Sequence, residues 1–227
     1  MPIKLVVFDM AGTTVRDENK VTKTFRSAFQ EYGYHMPDEV INPFMGYKKI
    51  AAITRILHLY EANSTKITAE LIDQIHRTFV RLMIDYYQTA DFLEALPHAE
   101  ATLLALKKAG VKVAINTGFS RDIALVIINR LAWQEKDVFD FLICSDEVTE
   151  GRPDPAMINQ LMLQAGITDP DEVAKVGDTA VDIREGQNAG CKYVIAVTTG
   201  AFSHAELVPY HPTHIIDDIA DVITIVL

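Results

Sequence analysis

Cysteine is scarce in this 227-residue sequence, which holds Cys144 and Cys191 alone. Both lie in apolar surroundings with no second cysteine or histidine beside them, so they read as reduced core thiols and exclude a zinc site. Long apolar runs are also missing. The longest, such as Tyr193 to Val197, fall far short of the roughly 20 residues a bilayer-crossing helix needs. No basic leader with a small-residue cleavage site precedes them, so the expected location is the cytoplasm, and the sequon Asn63-Ser64-Thr65 carries no weight. Basic residues are in deficit too: 21 Lys and Arg stand against 31 Asp and Glu, a formal net charge of −10. Nucleic-acid binding draws on clustered Lys and Arg, so the expected partner is a small molecule, with neither nucleic acid nor membrane involved. Finally, neither Gly-x-Gly-x-x-Gly nor Gly-x-x-x-x-Gly-Lys-Ser/Thr occurs, which leaves dinucleotide and P-loop readings without support.

What is present is an alternation. Short β-branched runs (Lys4 to Phe8, Val111 to Ile115, Phe141 to Cys144, Val173 to Val176, Tyr193 to Val197 and His214 to Ile216) are followed by helix-like segments. That pattern predicts an α/β fold, a doubly wound parallel sheet with helices on both faces. Pro97 opens a periodic segment that stops at Gly110, Ser120 is placed to cap Arg121 to Leu131, and Gly166 closes Ile158 to Ala165. From about Val15 to Asp91 the chain has helical patterns only (Thr22 to Tyr32, Tyr47 to Glu61, Ala69 to Tyr87). The expectation is a core of residues 1–15 and 92–227 with an all-helical cap, residues 16–91, inserted after the first strand.

Ligands of open α/β sheets bind beyond the carboxyl ends of the strands, so strand-end residues carry the chemistry. The first strand delivers Asp9, the second Asn116-Thr117-Gly118, and the third leads to Gly151-Arg152-Pro153. The fourth ends in Gly177-Asp178-Thr179-Ala180-Val181-Asp182. If Asp9, Asp178 and Asp182 converge, each pair about 4 Å apart repels by on the order of 4 kcal/mol at an effective dielectric of 20. A divalent cation removes that cost, and an oxygen-only set favours magnesium. Taken alone, Asp178 and Asp182 also suit helix capping and the helix dipole. Thr117 can hold phosphoryl oxygens at a helix N-terminus, or form an ordinary turn. Arg152 can pair with phosphate and offset the charge of Asp9, or lie on the surface.

Asp9-x-Ala-Gly-Thr-Thr, Asn116-Thr117-Gly118-Phe119, Gly151-Arg152-Pro153-x-Pro155 and Gly177-Asp178-Thr179-x-x-Asp182 resemble, in order, the four loops of the haloacid dehalogenase superfamily. The resemblance implies a Rossmann-like core and a magnesium-dependent hydrolase. Asp9 would be the nucleophile that forms an aspartyl-phosphate, with Thr117 and Arg152 positioning the phosphoryl group. Asp9, Asp178, Asp182 and the Ala11 carbonyl would bind Mg2+. Two details, Ala11 where most phosphatases of the superfamily carry a second aspartate and Arg152 where most carry lysine, are similar to phosphonoacetaldehyde hydrolase and its phosphonatase-like relatives. Met45-Gly46-Tyr47-Lys48-Lys49 is similar to their cap segment, in which a lysine forms a Schiff base with the substrate aldehyde, and Lys49 falls on that position.

The same resemblance places Gly12, Gly118, Met45 and Gly46 at the substrate and implies a homodimer through the cap. Ala52 and Asn19 stand where those relatives have histidine and cysteine. The lysine must be neutral to attack, and burial near Lys48 would lower its pKa. The expected substrate is a small phosphorylated or phosphonylated metabolite. The alternatives are an ordinary phosphomonoesterase similar to phosphoglycolate phosphatase, and a non-catalytic binding module.

Overall fold

A computed structural model describes residues 1–227. Six strands form one sheet: β1 (Leu5–Phe8), β2 (Lys112–Thr117), β3 (Phe141–Cys144), β4 (Val173–Gly177), β5 (Tyr193–Val197) and β6 (His214–Ile216). They are all parallel and run in the order β3-β2-β1-β4-β5-β6. The first strand is therefore central, and strand order reverses on either side of it, which opens a crevice at the carboxyl ends of β1, β2 and β4.

Side-chain alternation explains why both faces are covered. Leu5 and Val7 enter one apolar cluster with Ala114, Ile143, Ile158 and Leu161, whereas Val6 and Phe8 enter another with Ile115, Val176 and Trp133. A sheet buried on both faces needs helices on both. These are α5 (Ala99–Lys108), α6 (Arg121–Arg130), α7 (Ala156–Ala165) and α8 (Ala180–Asn188), with the short α9 (His204–Leu207) and α10 (Val222–Val226) near the end of the chain.

Between β1 and α5 the chain forms no strand. It builds α1 (Lys20–Gln30), the short α2 (Asp38–Ile41), α3 (Lys49–Tyr60) and α4 (Ala69–Thr89). Phe25 of α1 meets Phe79 of α4 with ring centroids 4.4 Å apart. Phe25, Phe29, Ile53, Ile56 and Phe79 belong to the same apolar cluster as Val6 and Phe8, so the helical insert shares a core with one face of the sheet. No helix is long and apolar enough to cross a membrane.

Two of three punctuation details differ from expectation. Pro97 lies outside the helix it was expected to open, because His98, in the left-handed region, is the residue before Ala99. Ser120 precedes α6 in extended conformation but makes no capping hydrogen bond, and its hydroxyl is buried without a partner. The Asp146 carboxylate takes that place by accepting from the Arg121 N–H at 3.0 Å, and an ionised acceptor satisfies a helix N-terminus better than a hydroxyl. Gly166, with φ of 70°, closes α7 as expected.

Candidate active site

Asp9 leaves the end of β1, its N–H held by the Val176 carbonyl at 2.9 Å. Thr117 is the last residue of β2, and Asp178 follows the last residue of β4. Thr179 then starts α8 through a reciprocal cap in which the Asp182 carboxylate accepts from its N–H and hydroxyl. These strand ends bring one carboxylate oxygen each of Asp9, Asp178 and Asp182 within 4.8 Å of one another, all buried.

Beneath them lies a closed ionic network. Arg152 is wholly buried, with Nη1 2.6 Å from Asp9 Oδ1 and 2.9 Å from Asp182 Oδ1. Its Nη2 donates to the Asn116 carbonyl and side-chain oxygens, and its Nε lies 3.0 Å from Glu185 Oε2. The expectation that Arg152 makes paired hydrogen bonds to phosphate is therefore corrected. Its Nη atoms donate to protein oxygens, and it lies under Asp9 rather than among the residues that line the cavity above. Lys175, buried in β4, donates to Asn116 Oδ1 at 2.7 Å and sits 3.0 Å from Asp182 and 3.3 Å from Glu185. Asn116 completes the network by donating to both Glu185 oxygens.

One buried carboxylate has no cation. Asp178 accepts only from the Thr13 hydroxyl at 3.1 Å and the Ala201 N–H at 2.7 Å. Burial, then the charges of Asp9 and Asp182, push its pKa well above the carboxylate range. Burial also raises Asp9, against the pull of Arg152. Asp182, although buried, is held low by Arg152 and Lys175. The carboxylates thus outnumber the cations, and the deficit is at Asp178, so the oxygens present fit a divalent cation. The Ala11 carbonyl accepts no backbone hydrogen bond. Gly12, at φ of +87°, packs so closely that a Cβ there would come within 2.6 Å of Asp178 Oδ2.

The helical insert supplies the other wall. Met45, Gly46 and Lys49 line one cavity together with Asp9, Ala11, Gly12, Asp17, Thr117 and Gly118. The Thr117 hydroxyl accepts from the Phe119 N–H at 3.1 Å, which leaves its own proton to donate. Lys49 is buried rather than on the surface, with Nζ 5.1 Å from the Phe119 ring centroid and 5.5 Å from that of Phe25. Burial lowers its pKa to about 8, with Asp9 opposing and Arg152 assisting. Lys48 is not the cause: its Nζ points away and donates to the carbonyls of Val148 and Thr149 at 2.8 and 3.2 Å. A Cβ on Gly118 would meet the Gly46 and Tyr47 carbonyls, and one on Gly151 would meet Lys48, so the insert lies directly on the strand-end loops.

The free volume left inside is about 40 Å³. That is space for a few water molecules and not for a phosphorylated metabolite, so the arrangement is a closed one.

The family model for haloacid dehalogenase-like hydrolases matches residues 6–196. The chain belongs to this family. It is 30% identical over 208 residues to the bifunctional phosphonoacetaldehyde hydrolase/aminoethylphosphonate transaminase of Clostridioides difficile (strain 630), a match covering 88% of this chain and 32% of that protein. It is 29% identical over 224 residues to the phosphonoacetaldehyde hydrolase of Latilactobacillus sakei subsp. sakei (strain 23K), covering 95% of this chain and 81% of that one. A phosphonoacetaldehyde hydrolase-like protein from Oleispira antarctica has the same fold, with a TM-score of 0.84 at 19% identity over all of this chain and 92% of that one. This haloacid dehalogenase-like protein is accordingly a hydrolase, and a phosphonatase-like one.

Lys175, Glu185 and Asp17 escaped the sequence reading. Lys175 had a signal, a lone lysine inside the apolar strand Val173 to Val176, and Glu185 lies one turn after Asp182 on the same face of α8. Removing one partner of a buried ionic network leaves the others uncompensated, at a cost of about 3–5 kcal/mol. Lys175→Met is expected to lower the unfolding free energy by that amount in urea denaturation. An unchanged midpoint would show that Lys175 does not hold Glu185 and Asp182 in place.

Proposed function

We propose that this chain is a magnesium-dependent hydrolase of a small phosphonylated or phosphorylated metabolite with a carbonyl group near the phosphorus. In this reading residues 16–91 act as a cap over a catalytic core of residues 1–15 and 92–227. The observation that carries the proposal is the position of Lys49, a buried amine with a pKa of about 8 in the cavity that Asp9 lines.

Asp9, Asp178 and the Ala11 carbonyl, with Asp182 beside them, would hold the magnesium ion. Bound there, magnesium supplies positive charge that lets an anionic nucleophile approach an anionic phosphoryl group. Arg152 fixes the Asp9 carboxylate from below, so its attacking oxygen keeps one orientation. The Thr117 hydroxyl and the Gly118 N–H line the approach and would bind phosphoryl oxygens.

Lys49 accounts for Ala11, which leaves the site without the usual proton donor for an alkoxide. A neutral Lys49 amine adds to the aldehyde carbon, and loss of water with uptake of one proton gives a protonated imine. Asp9 then attacks phosphorus. The phosphorus–carbon bond breaks, and its electron pair is stored as an enamine on Lys49. Water finally cleaves the aspartyl-phosphate to release phosphate.

At pH 7 an amine of pKa about 8 is neutral in about one molecule in ten, against one in a few thousand for an ordinary lysine. Met45 and Gly46 hold Lys49 over Asp9 through the contact of Gly46 with Thr179 and Val181.

Incubation with Mg2+ and phosphonoacetaldehyde is expected to release phosphate and acetaldehyde. Borohydride added during turnover is expected to fix a two-carbon adduct on Lys49, read by peptide mass spectrometry, and Lys49→Arg to abolish both. Absence of an adduct together with Asp9-dependent hydrolysis of phosphate esters would refute the imine and leave an ordinary phosphomonoesterase. Because only the neutral amine attacks, kcat/KM for the aldehyde is expected to rise about tenfold per pH unit below 8 and level off above it. A profile flat from pH 6 to 9 would contradict a titrating Lys49.

A further inference from the structure

Ala11 removes a proton donor from the site, and an imine cycle needs one at three points. Dehydration of the carbinolamine, protonation of the enamine carbon and hydrolysis of the product imine each move a proton. Lys49 is the covalent partner and cannot serve itself, and Thr117 is too weak an acid. Of the titratable groups that line the cavity, Asp9, Asp178 and Lys49 already have roles, which leaves Asp17. Asp17, in the segment between Asp9 and α1, lines it together with Lys49 and Asp9, from the side of the helical insert.

Three features of Asp17 stand on geometry. Its Oδ1 is fixed as an acceptor of the Val21 N–H at 3.2 Å, so the carboxyl group has a set orientation. Its Oδ2 has no hydrogen-bond partner, and no cation lies within ion-pair distance. Asp17 also lines two outer clefts, one with Gly12, Arg16, Leu96 and Gly200 and one with Tyr86, Phe92 and Glu94. Asp17 thus stands between the closed cavity and water, reachable from both.

We propose that Asp17 is the acid–base group of this site, donating to and accepting from the part of the substrate that departs from phosphorus, whether a carbonyl-derived carbon or an ester oxygen, and exchanging its proton with solvent through the outer clefts. The proposal rests on the reading of the cavity as the place of reaction. The sequence of transfers balances. The protonated carboxyl gives its proton to the carbinolamine oxygen, which leaves as water and forms the protonated imine. After phosphorus–carbon cleavage, Asp17, reprotonated from solvent, gives a proton to the enamine carbon and restores an imine. Water then adds to that imine, Asp17 accepts the proton released, and the aldehyde departs from a free Lys49 amine.

Burial raises the Asp17 pKa above that of an ordinary aspartate, which keeps more of it protonated. The charged groups that face it are Lys49 of α3, Asp9 at the end of β1 and Lys23 of α1, with Asp9 acting in the same direction as burial and the Val21 N–H and two lysines against it. Arg16, Glu18 and Glu94 border its outer side.

The test compares Asp17→Asn and Asp17→Glu with wild type on phosphonoacetaldehyde, an alkyl phosphate and an aryl phosphate, each with Mg2+. Asparagine keeps the acceptor for Val21, and melting temperatures report on folding. An aryl leaving group needs little protonation, so the proposal predicts an alkyl- or phosphonate-to-aryl rate ratio at least about 100-fold lower in Asp17→Asn, the usual size of a lost acid–base group. Asp17→Glu is expected to recover part of it. Equal losses on all substrates, or an unchanged ratio, would overturn the role. If wild type cleaves the esters but not the phosphonate, the Lys49 reading fails, and the alkyl-to-aryl ratio still judges Asp17 by the same criterion. Wild type inert toward all three would overturn both.

Discussion

Four buried carboxylates share two buried cations at the carboxyl end of the central strands, and the rest of the molecule is arranged around that imbalance. Asp9, Asp182 and Glu185 each touch Arg152, and Lys175 touches the latter two, while Asp178 has only a hydroxyl and an amide. Charges buried this way are tolerated only when paired and hydrogen-bonded. Asn116 supplies that bonding by accepting from both cations and donating to Glu185, so a single strand-end side chain ties three ions together. The uncompensated carboxylate is Asp178, on the side of the network that lines the cavity, where the proposed substrate would also bring negative charge. A divalent ion at that point reconciles the two requirements.

The helical insert answers a different constraint, which is to bury an amine beside the Asp9 carboxylate with its pKa lowered. Burial among Phe25, Phe79 and Phe119 disfavours the ammonium, and the nearby Asp9 favours it; the balance lies at about 8. Close approach is what makes this possible. Gly46 packs on Thr179 and Val181, Gly118 admits the Gly46 and Tyr47 carbonyls, and Gly151 admits Lys48. Small residues on both sides let backbone meet backbone, and the Lys48 ammonium fastens the contact to the loop that precedes Arg152. These contacts leave little free volume beside Asp9.

The strand ends were legible in the sequence because parallel strands buried on both faces read as apolar runs, and the residue that breaks each run is the one presented at the crevice. Asp9, Thr117 and Asp178 were found at or just after the ends of such runs, and the observed strand order, with β1 between β2 and β4, is what brings them together. Arg152 was legible as a residue but not as a geometry. Whether a guanidinium faces a ligand or is used up by protein oxygens depends on Asn116 and Glu185, which come from distant segments. Lys49 posed the same difficulty: its surroundings are three rings from α1, α4 and the Phe119 turn, and sequence spacing does not report them. Ser120 lost its capping role to Asp146, a competitor 26 residues away that local pattern cannot reveal.

The central claim is that Asp178 is the site of an unmet charge that a divalent cation fills. Thermal unfolding of wild type and Asp178→Asn, each without and with Mg2+, tests it directly. The account predicts that Asp178→Asn melts at or above wild type without metal, because a repelling carboxylate is gone, and that Mg2+ raises the wild-type melting temperature but not that of the variant. A variant that melts lower without metal and still responds to Mg2+ would contradict it.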